Sequence, residues 1–579
     1  MPTMTPWHAI AKALVAEGID RVFGLPGNPL HLVADLARHA PGIRNVLMRH
    51  EHSGVAMAYA HARVTGQPAV CYGNPGPGTT NMATALLEAT CGSLPVICLT
   101  NGTPLGSDGK GAFQELDAVA HMKPVTKWAT RLVDPATTPW LIERAFSVAK
   151  QGRPGAVFID VPSDIGLKPT AMAAYRRSQP RLRSRPDAAA VREAARRIAR
   201  ARAPIIVCGS GAVAAGAAGP VRALAEAVGA PVFTTPGGRG ILGEDHALSC
   251  GQVGLYFTKL GKETYDAADL MIALGSRLED FSTGSWHYFP KGASLIQIDV
   301  DPCAIAMNWR PDVALVGDAA LALDDVLAAL PAADSSVRAR RLAALGWAKA
   351  RFLARVEAEG RASGRQVRTP HVLAALNRVF GRDTILVNEN GGADLWSYYW
   401  PYYRVRDEGD CVPMAEQTAM GMGVIGAIAA KLAKPHKNVV CVTGDSALQM
   451  AMMELATAAE AKAGVTWVVL NNQALGWPQY IQVLERLPRV ATDFKVSPDF
   501  VALAEAQGCT GILVDAPGKI EPALRKALAA NRKGRPVLLD VRIPKHDYPP
   551  HFTQYHKEIW GLGQHGKRAK AKRARGGGG

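Results

Sequence analysis

Two short polar strings, Gly444-Asp445-Ser446 and Asn471-Asn472, stand twenty-four residues apart, each closing a run of β-branched and apolar residues, NVVCVTG and VTWVVLN. Strand, helix and strand at that spacing make a parallel unit, which brings Asp445 and Asn472 to one carboxyl edge of a sheet, where doubly wound folds bind ligands. Carboxylate and amide oxygens suit a hard cation such as Mg²⁺, which bridges to phosphate oxygens. Gly444 admits a close backbone approach, and the N-terminus of the following helix favours a diphosphate. A third string, Arg49-His50-Glu51, opens an apolar helical stretch, SGVAMAYAHARVTG. An acid there complements the helix dipole, and it is also a group able to share a proton with a ligand.

Gly-Asp-Ser…Asn-Asn resembles the Gly-Asp-Gly…Asn-Asn motif of thiamine diphosphate enzymes, and the resemblance extends over the chain to about residue 545. It implies that Asp445, Asn472 and the backbone carbonyl of Ala474 complete an Mg²⁺ shell with the diphosphate, with Gly444 and Ser446 against it. It implies that Glu51 hydrogen-bonds the cofactor's aminopyrimidine ring, where a shared proton favours the tautomer that takes the thiazolium C2 proton. Ala419-Met420-Gly421-Met422-Gly423 resembles the family's Ala-Met-Gly-Phe-Gly stretch, so Met420 is the expected wedge under the cofactor and the Thr418 carbonyl an acceptor for its amino group. The turn Gly73-Asn74-Pro75-Gly76-Pro77-Gly78 is similar to a glycine turn near the cofactor, which places Pro75, with Gly27 and Asn28, among its binding residues. Gly111-Ala112-Phe113-Gln114-Glu115 resembles a segment whose glutamine polarises a substrate carbonyl, so Gln114 joins Glu51 as a catalytic candidate.

Behind these strings the chain alternates strand-like and helical runs, an α/β pattern of parallel sheets covered by helices. Three doubly wound parallel-sheet domains are expected: a pyrimidine-binding domain over 1–175, a central nucleotide-binding-like domain over 188–335 and a diphosphate-binding domain over 365–545. A Pro/Arg-rich linker, 176–187, separates the first two, and ALQMAMMELATAAEAKA reads as one helix. In the central domain Gly211, Arg277 and Asp299 resemble the positions that hold ADP or FAD in relatives. The extension 546–579, aromatic and then basic, suits a lid over an acyl-CoA or a solvated tail.

The 579 residues carry a net charge of +16, with 48% hydrophobic and 20% charged residues, an ordinary globular composition. Six of those charges crowd the last stretch, GKRAKAKRARGGGG. The nine cysteines form no C-x-x-C pair or zinc spacing, as for reduced thiols in a cytoplasmic protein. No signal peptide and no apolar run of the ~20 residues needed to span a bilayer is visible, so no membrane partner is expected. Nucleic acid is not among the expected partners either, since no known nucleic-acid motif is visible. By the resemblance the active sites lie between subunits of a homodimer or homotetramer.

Gly-Asp-Ser-Ala is similar to 2-hydroxyacyl-CoA lyases and oxalyl-CoA decarboxylases, whereas Asn471-Asn472-Gln473-Ala474-Leu475-Gly476 is closer to acetolactate synthases. The leading expectation is cleavage of a 2-hydroxyacyl-CoA to formyl-CoA and a ketone or aldehyde. The alternative is an acetolactate-synthase-like carboligase or 2-oxoacid decarboxylase acting on pyruvate-like acids. A non-catalytic regulatory or nucleic-acid-binding protein on the same fold is a third reading, disfavoured by intact Glu51, Asp445 and Asn472.

Overall fold

The structure, a computed structural model, describes residues 1–27, 30–331, 335–361, 364–392 and 394–562. Three six-stranded sheets dominate it, and every pairing within them is parallel. In the N-terminal sheet the strands lie in the order Arg44–Leu47, Arg21–Gly24, Ala69–Gly73, Val96–Gly102, Val157–Pro162, Trp128–Arg131. The C-terminal sheet repeats that order with Cys411–Val412, Thr384–Asn388, Asn438–Gly444, Val465–Asn471, Val537–Arg542 and Thr510–Val514. Numbered along the chain, both read 2-1-3-4-6-5. The central sheet differs: Ser249–Gln252, Val232–Thr234, Pro204–Cys208, Leu270–Leu274, Ser294–Asp299, Val313–Val316, or 3-2-1-4-5-6. That is the order associated with dinucleotide binding. The expected class, three doubly wound parallel-sheet domains, is thus what the chain forms.

The two terminal domains meet through equivalent helices, Glu51–Thr65 and Met422–Ala433, each placed between the second and third strands of its own sheet. Both faces are built from small residues. A Cβ on Gly426 would lie 3.0 Å from the Ala60 Cβ, so the helices approach closely because alanine and glycine face each other there. One continuous apolar core runs from Val55, Ala56 and Cys98 on one side to Val424, Ile428 and Trp467 on the other. The stretch expected as one helix is two, Asp445–Ala451 and Glu454–Glu460. At the junction Leu455 N–H bonds Met452 O, a tightened turn that re-aims Glu454 without ending the helical path.

All three domains converge on Arg239. Its side chain is fully buried, forks onto Glu244 at 2.9 and 3.0 Å, and donates to the carbonyls of Ser397 and Tyr403 in the C-terminal domain. Its own carbonyl accepts from Arg63 of the N-terminal domain. Of the extension, 546–562 is packed structure and 563–579 lies outside the described residues. Asp547, buried, pairs with Arg368 and caps the helix Thr369–Val379 through the Thr369 N–H at 2.7 Å. The helix Pro550–Glu558 buries Phe552, Tyr555 and His556. Trp477 donates its indole N–H to His556 Nε2 at 2.9 Å, and His556 Nδ1 faces the Phe552 carbonyl at 2.7 Å. His556 is therefore the neutral Nδ1–H tautomer. Among the described residues no helix is long and apolar enough to cross a membrane.

Arg239→Ala strands Glu244 as a buried unpaired carboxylate, and the expected loss is about 3–5 kcal/mol. Denaturant unfolding reads it as a lowered midpoint, and an unchanged midpoint refutes the three-domain role. Burial holds His556 below the ordinary histidine value and His551 down at about 4. The folded segment thus binds fewer protons than an unfolded one, so its stability is complete above about pH 6.5 and falls as the solution is acidified. Proteolysis of 546–562 should accelerate from about pH 7.5 to about pH 5, and less so in His556→Gln, which keeps an acceptor for Trp477. Equal pH dependence in both proteins would contradict the assignment.

Candidate functional site

The C-terminal half of the site is the joint carboxyl edge of strands Asn438–Gly444 and Val465–Asn471, paired with Gly444 opposite Leu470. Asp445 follows the first strand as the first residue of its helix, and Asn472 and Ala474 follow the second. All three are buried. Asp445 has the backbone N–H groups of Ser446 and Gln473 as donors, and burial pushes its carboxyl up to about 6, with the nearby Asp540 carboxylate pushing the same way. A cation beside it would relieve that penalty, and the oxygens around it are an amide, a backbone carbonyl and a carboxylate, a hard donor set that fits Mg²⁺. Asn472 Oδ1 accepts from the Ala474 N–H at 3.2 Å, whereas the Asn471 side chain is turned away onto Asp540 at 2.8 Å. Ser446, where the family motif has glycine, donates its hydroxyl to the Ala474 carbonyl at 3.0 Å and ties the two strand ends together. The loop is strained: Gln473 has φ 56°.

The N-terminal half gathers around Glu51, buried at the start of its helix. Each of its oxygens accepts one amide donor, Asn74 Nδ2 and Asn81 Nδ2, both at 3.1 Å. These neutral partners leave the carboxylate without an ion pair among the described residues. Both asparagines escaped the sequence reading, although Asn74 lies inside the glycine turn and Asn81 one helical turn beyond it. The turn is cut to that carboxylate, since a Cβ on Gly78 would stand 2.8 Å from Glu51 Oε1. Gly27 packs on Asn74, and a Cβ there would lie 2.1 Å from its Oδ1. Asn28 lies outside the described residues. Gln114 rests on Gly76 with φ 61°, and Pro75 shares a groove with Phe113, His31 and Asn101. Gly27, Glu51, Pro75 and Gln114 thus form one cluster.

Thr418 and Met420 stand elsewhere. Their segment, 415–420, meets the far end of helix Pro77–Cys91, where Glu88 accepts from the Ala415 N–H. Gly78, against Glu51, and Glu88 are ten residues apart on that helix, or about 15 Å at 1.5 Å per residue. Within one chain Glu51 therefore faces a different place from Thr418 and Met420. Thr418 has φ 48°, rare for a β-branched residue. A buried acid missed in the sequence, Glu389, accepts from the N–H groups of Gly421, Gly423 and Val424, and burial pushes it up to about 7. A plain run, TILVNENG, gave no hint that its acid would turn beneath a helix N-terminus.

Gly211, Arg277 and Asp299 do come together, lining a cleft of about 220 Å³ at the carboxyl ends of the central strands, with Thr418 on its opposite wall. Gly211 is a packing glycine, since a Cβ would lie 2.8 Å from Gly275 Cα. Arg277 is held in an ion pair with Glu416, and burial pushes Asp299 up. Met450, Met453, Leu487, Val490 and Val496, in the helices and loops after Asp445 and Asn472, are exposed.

If Asp445 and Ala474 hold a cation, Asp445→Asn abolishes Mg²⁺-dependent activity, while Ser446→Ala raises the half-saturating Mg²⁺ concentration about 10-fold or more. A Mg²⁺ titration of Ser446→Ala that overlays the parent's removes the serine from this role.

Comparison with known proteins bears on the whole arrangement. Residues 4–121 match the description "Thiamine pyrophosphate enzyme, N-terminal TPP binding domain", 191–327 its central domain and 391–541 its C-terminal TPP binding domain. The chain is 33% identical to the "Probable acetolactate synthase large subunit" of Methanocaldococcus jannaschii over 93% of its own length and 91% of the relative's. It is 32% identical to the "Acetolactate synthase" of Mycobacterium bovis, over 93% and 88%. With "Acetolactate synthase isozyme 3 large subunit" of Escherichia coli K12 it shares 30%, over 95% and 97%. With all three domains matched and such relatives covered nearly end to end, the chain belongs to the thiamine pyrophosphate (thiamine diphosphate) enzyme family.

Proposed function

We propose that the protein is a carboligase of the acetolactate synthase type, joining two pyruvate-sized 2-oxo acids with loss of carbon dioxide. The observation that carries this reading is the name shared by relatives that match over more than nine-tenths of the chain. It is the alternative of the sequence reading. The leading expectation, 2-hydroxyacyl-CoA cleavage, rests on the Gly-Asp-Ser-Ala string and the surplus of basic charge, with the aromatic extension as a lid. Phe552 and Tyr555 of that extension are spent in packing rather than displayed to a ligand.

Bound thiamine diphosphate supplies a carbon nucleophile at its thiazolium ring. Asp445, Asn472 and the Ala474 carbonyl would hold Mg²⁺ against the diphosphate, and Gly444 and Ser446 would leave room for it. Glu51 would hold a proton at the aminopyrimidine, its charge kept available because Asn74 and Asn81 are neutral donors. Thr418 and Met420 would position that ring, and Gln114 would polarise the substrate carbonyl. The offset of about 15 Å along helix Pro77–Cys91 between Gly78, which meets Glu51, and Glu88, which meets the 415–420 segment, supports with the exposed apolar flank beyond Asp445 a site completed by a second copy of the chain. The central cleft is proposed for a nucleotide, ADP or FAD, with Asp299 toward ribose hydroxyls and Arg277 toward phosphate once released from Glu416.

The test supplies thiamine diphosphate and Mg²⁺ and offers pyruvate and 2-hydroxyacyl-CoA esters in parallel, with products identified by mass spectrometry. Acetolactate and carbon dioxide from pyruvate are expected, with Glu51→Gln lowering kcat about 10²–10⁴-fold. Formyl-CoA from the ester, with pyruvate untouched, would overturn the carboligase reading in favour of the lyase.

A further inference from the structure

Two buried carboxylates lie across the joint between the terminal domains. Glu88 and Glu454 both belong to the helical segment that follows the third strand of their own sheet, and both have 0% exposure. Each reaches into the other domain. Glu88 Oε1 accepts from the Ala415 N–H, while its other oxygen is buried without a hydrogen-bond partner among the described residues, near the backbone N–H groups of Gln417, Thr418 and Ala419. Glu454 Oε1 accepts from the Arg49 N–H at 2.9 Å, and its other oxygen takes the Thr457 hydroxyl. The gripped segments are equivalent too, since each immediately precedes one helix of the central pair, Met422–Ala433 or Glu51–Thr65. The same device is thus built twice, once in each direction, by two sheets of identical strand order.

We infer that Glu88 and Glu454 are reciprocal positioning residues: Glu88 sets the segment that carries Thr418 and Met420, and Glu454 sets the entry to Glu51. The physical need is visible at each end. Thr418 sits at φ 48°, and a strained residue persists only where its surroundings over-determine it. The Ala415 bond to Glu88 anchors the chain three residues before Thr418, and the second carboxylate oxygen, all acceptor, is turned toward the backbone N–H groups that follow. At the other end Arg49 is two residues before Glu51. Its side chain is also anchored on the Glu454 helix, to Thr457 at 3.1 Å and Glu460 at 2.7 Å. Neither glutamate is assigned a contact with cofactor, and each acts through the segment it holds. The inference rests on the cofactor roles proposed above for Thr418, Met420 and Glu51.

Glutamine tests it: at Glu88 the amide turns an N–H₂ toward backbone N–H donors, and at Glu454, where the Thr457 hydroxyl can accept from an amide, it removes the charge that strengthens the Arg49 bond. Glu88→Gln should weaken thiamine diphosphate binding, measured by calorimetry, about tenfold, the scale of one lost charged hydrogen bond, with kcat at saturation little changed. Glu454→Gln should instead lower kcat on the order of 10²-fold with little change in cofactor affinity, because it misplaces Glu51. Adding Glu454→Gln to Glu51→Gln should then cost nothing further in kcat, whereas a multiplied loss marks general damage and overturns the inference. If a variant fails to fold, amide hydrogen exchange in the parent protein decides. The Arg49 and Ala415 amides must exchange as slowly as the core of the helix pair, and fast exchange refutes the clamps without reference to any cofactor. A parent protein that binds no thiamine diphosphate would refute the cofactor reading and leave the exchange result standing.

Discussion

The packing of helix Glu51–Thr65 on helix Met422–Ala433 is the constraint on which the molecule depends. The contact is possible because Ala60 meets Gly426, and it fuses two apolar cores into one. Both helices begin at functional segments, so their relative placement also sets where Glu51 and Met420 stand. A shift along this joint would move both halves of the site together. That is why polar clamps, and not apolar contacts alone, are found at its edges: apolar packing tolerates sliding, whereas a hydrogen bond to a particular N–H does not.

The acids that matter share an environment. Asp445, Glu88 and Glu389 are buried, and burial raises each of them. Their partners are backbone N–H groups rather than cations. Those at Glu88 and Glu389 organise loops ahead of one helix, and Asp445 is left with a charge that a bound cation would balance. The distinction comes from neighbours: Glu389 accepts from three backbone N–H groups, while Asp445 has fewer and lies at the strand ends that the Ser446 hydroxyl ties to the Ala474 carbonyl.

The strand orders separate two tasks. The terminal sheets share one order, and in the proposed site one would provide the acid and the other the cation edge. The central sheet has the dinucleotide order and opens its cleft at the carboxyl ends of its strands. One wall of the cleft is the 413–418 segment of the C-terminal domain, which the Arg277–Glu416 ion pair ties to the central domain.

By itself the sequence determined the three parallel-sheet domains, because runs such as NVVCVTG and VTWVVLN are legible from apolar periodicity within a few residues. It placed Asp445 and Asn472 at one sheet edge too, because their strings end neighbouring strands of a single strand–helix–strand unit, and it marked Glu51 as the acid that opens an apolar helix. It did not reveal Asn74 and Asn81 as the partners of Glu51, nor Glu88, Glu389 and Glu454, since their roles depend on contacts across a turn or across domains that no local pattern encodes. The joint at Met452–Met453 was likewise hidden in a run of good helix formers. Only the tertiary structure decided that Arg239 ties three domains, that the aromatic extension up to residue 562 is core, and that Glu51 and Met420 of one chain point to different places. Each of these is a distance between residues far apart in sequence, and such distances are set by the packing of whole helices and sheets.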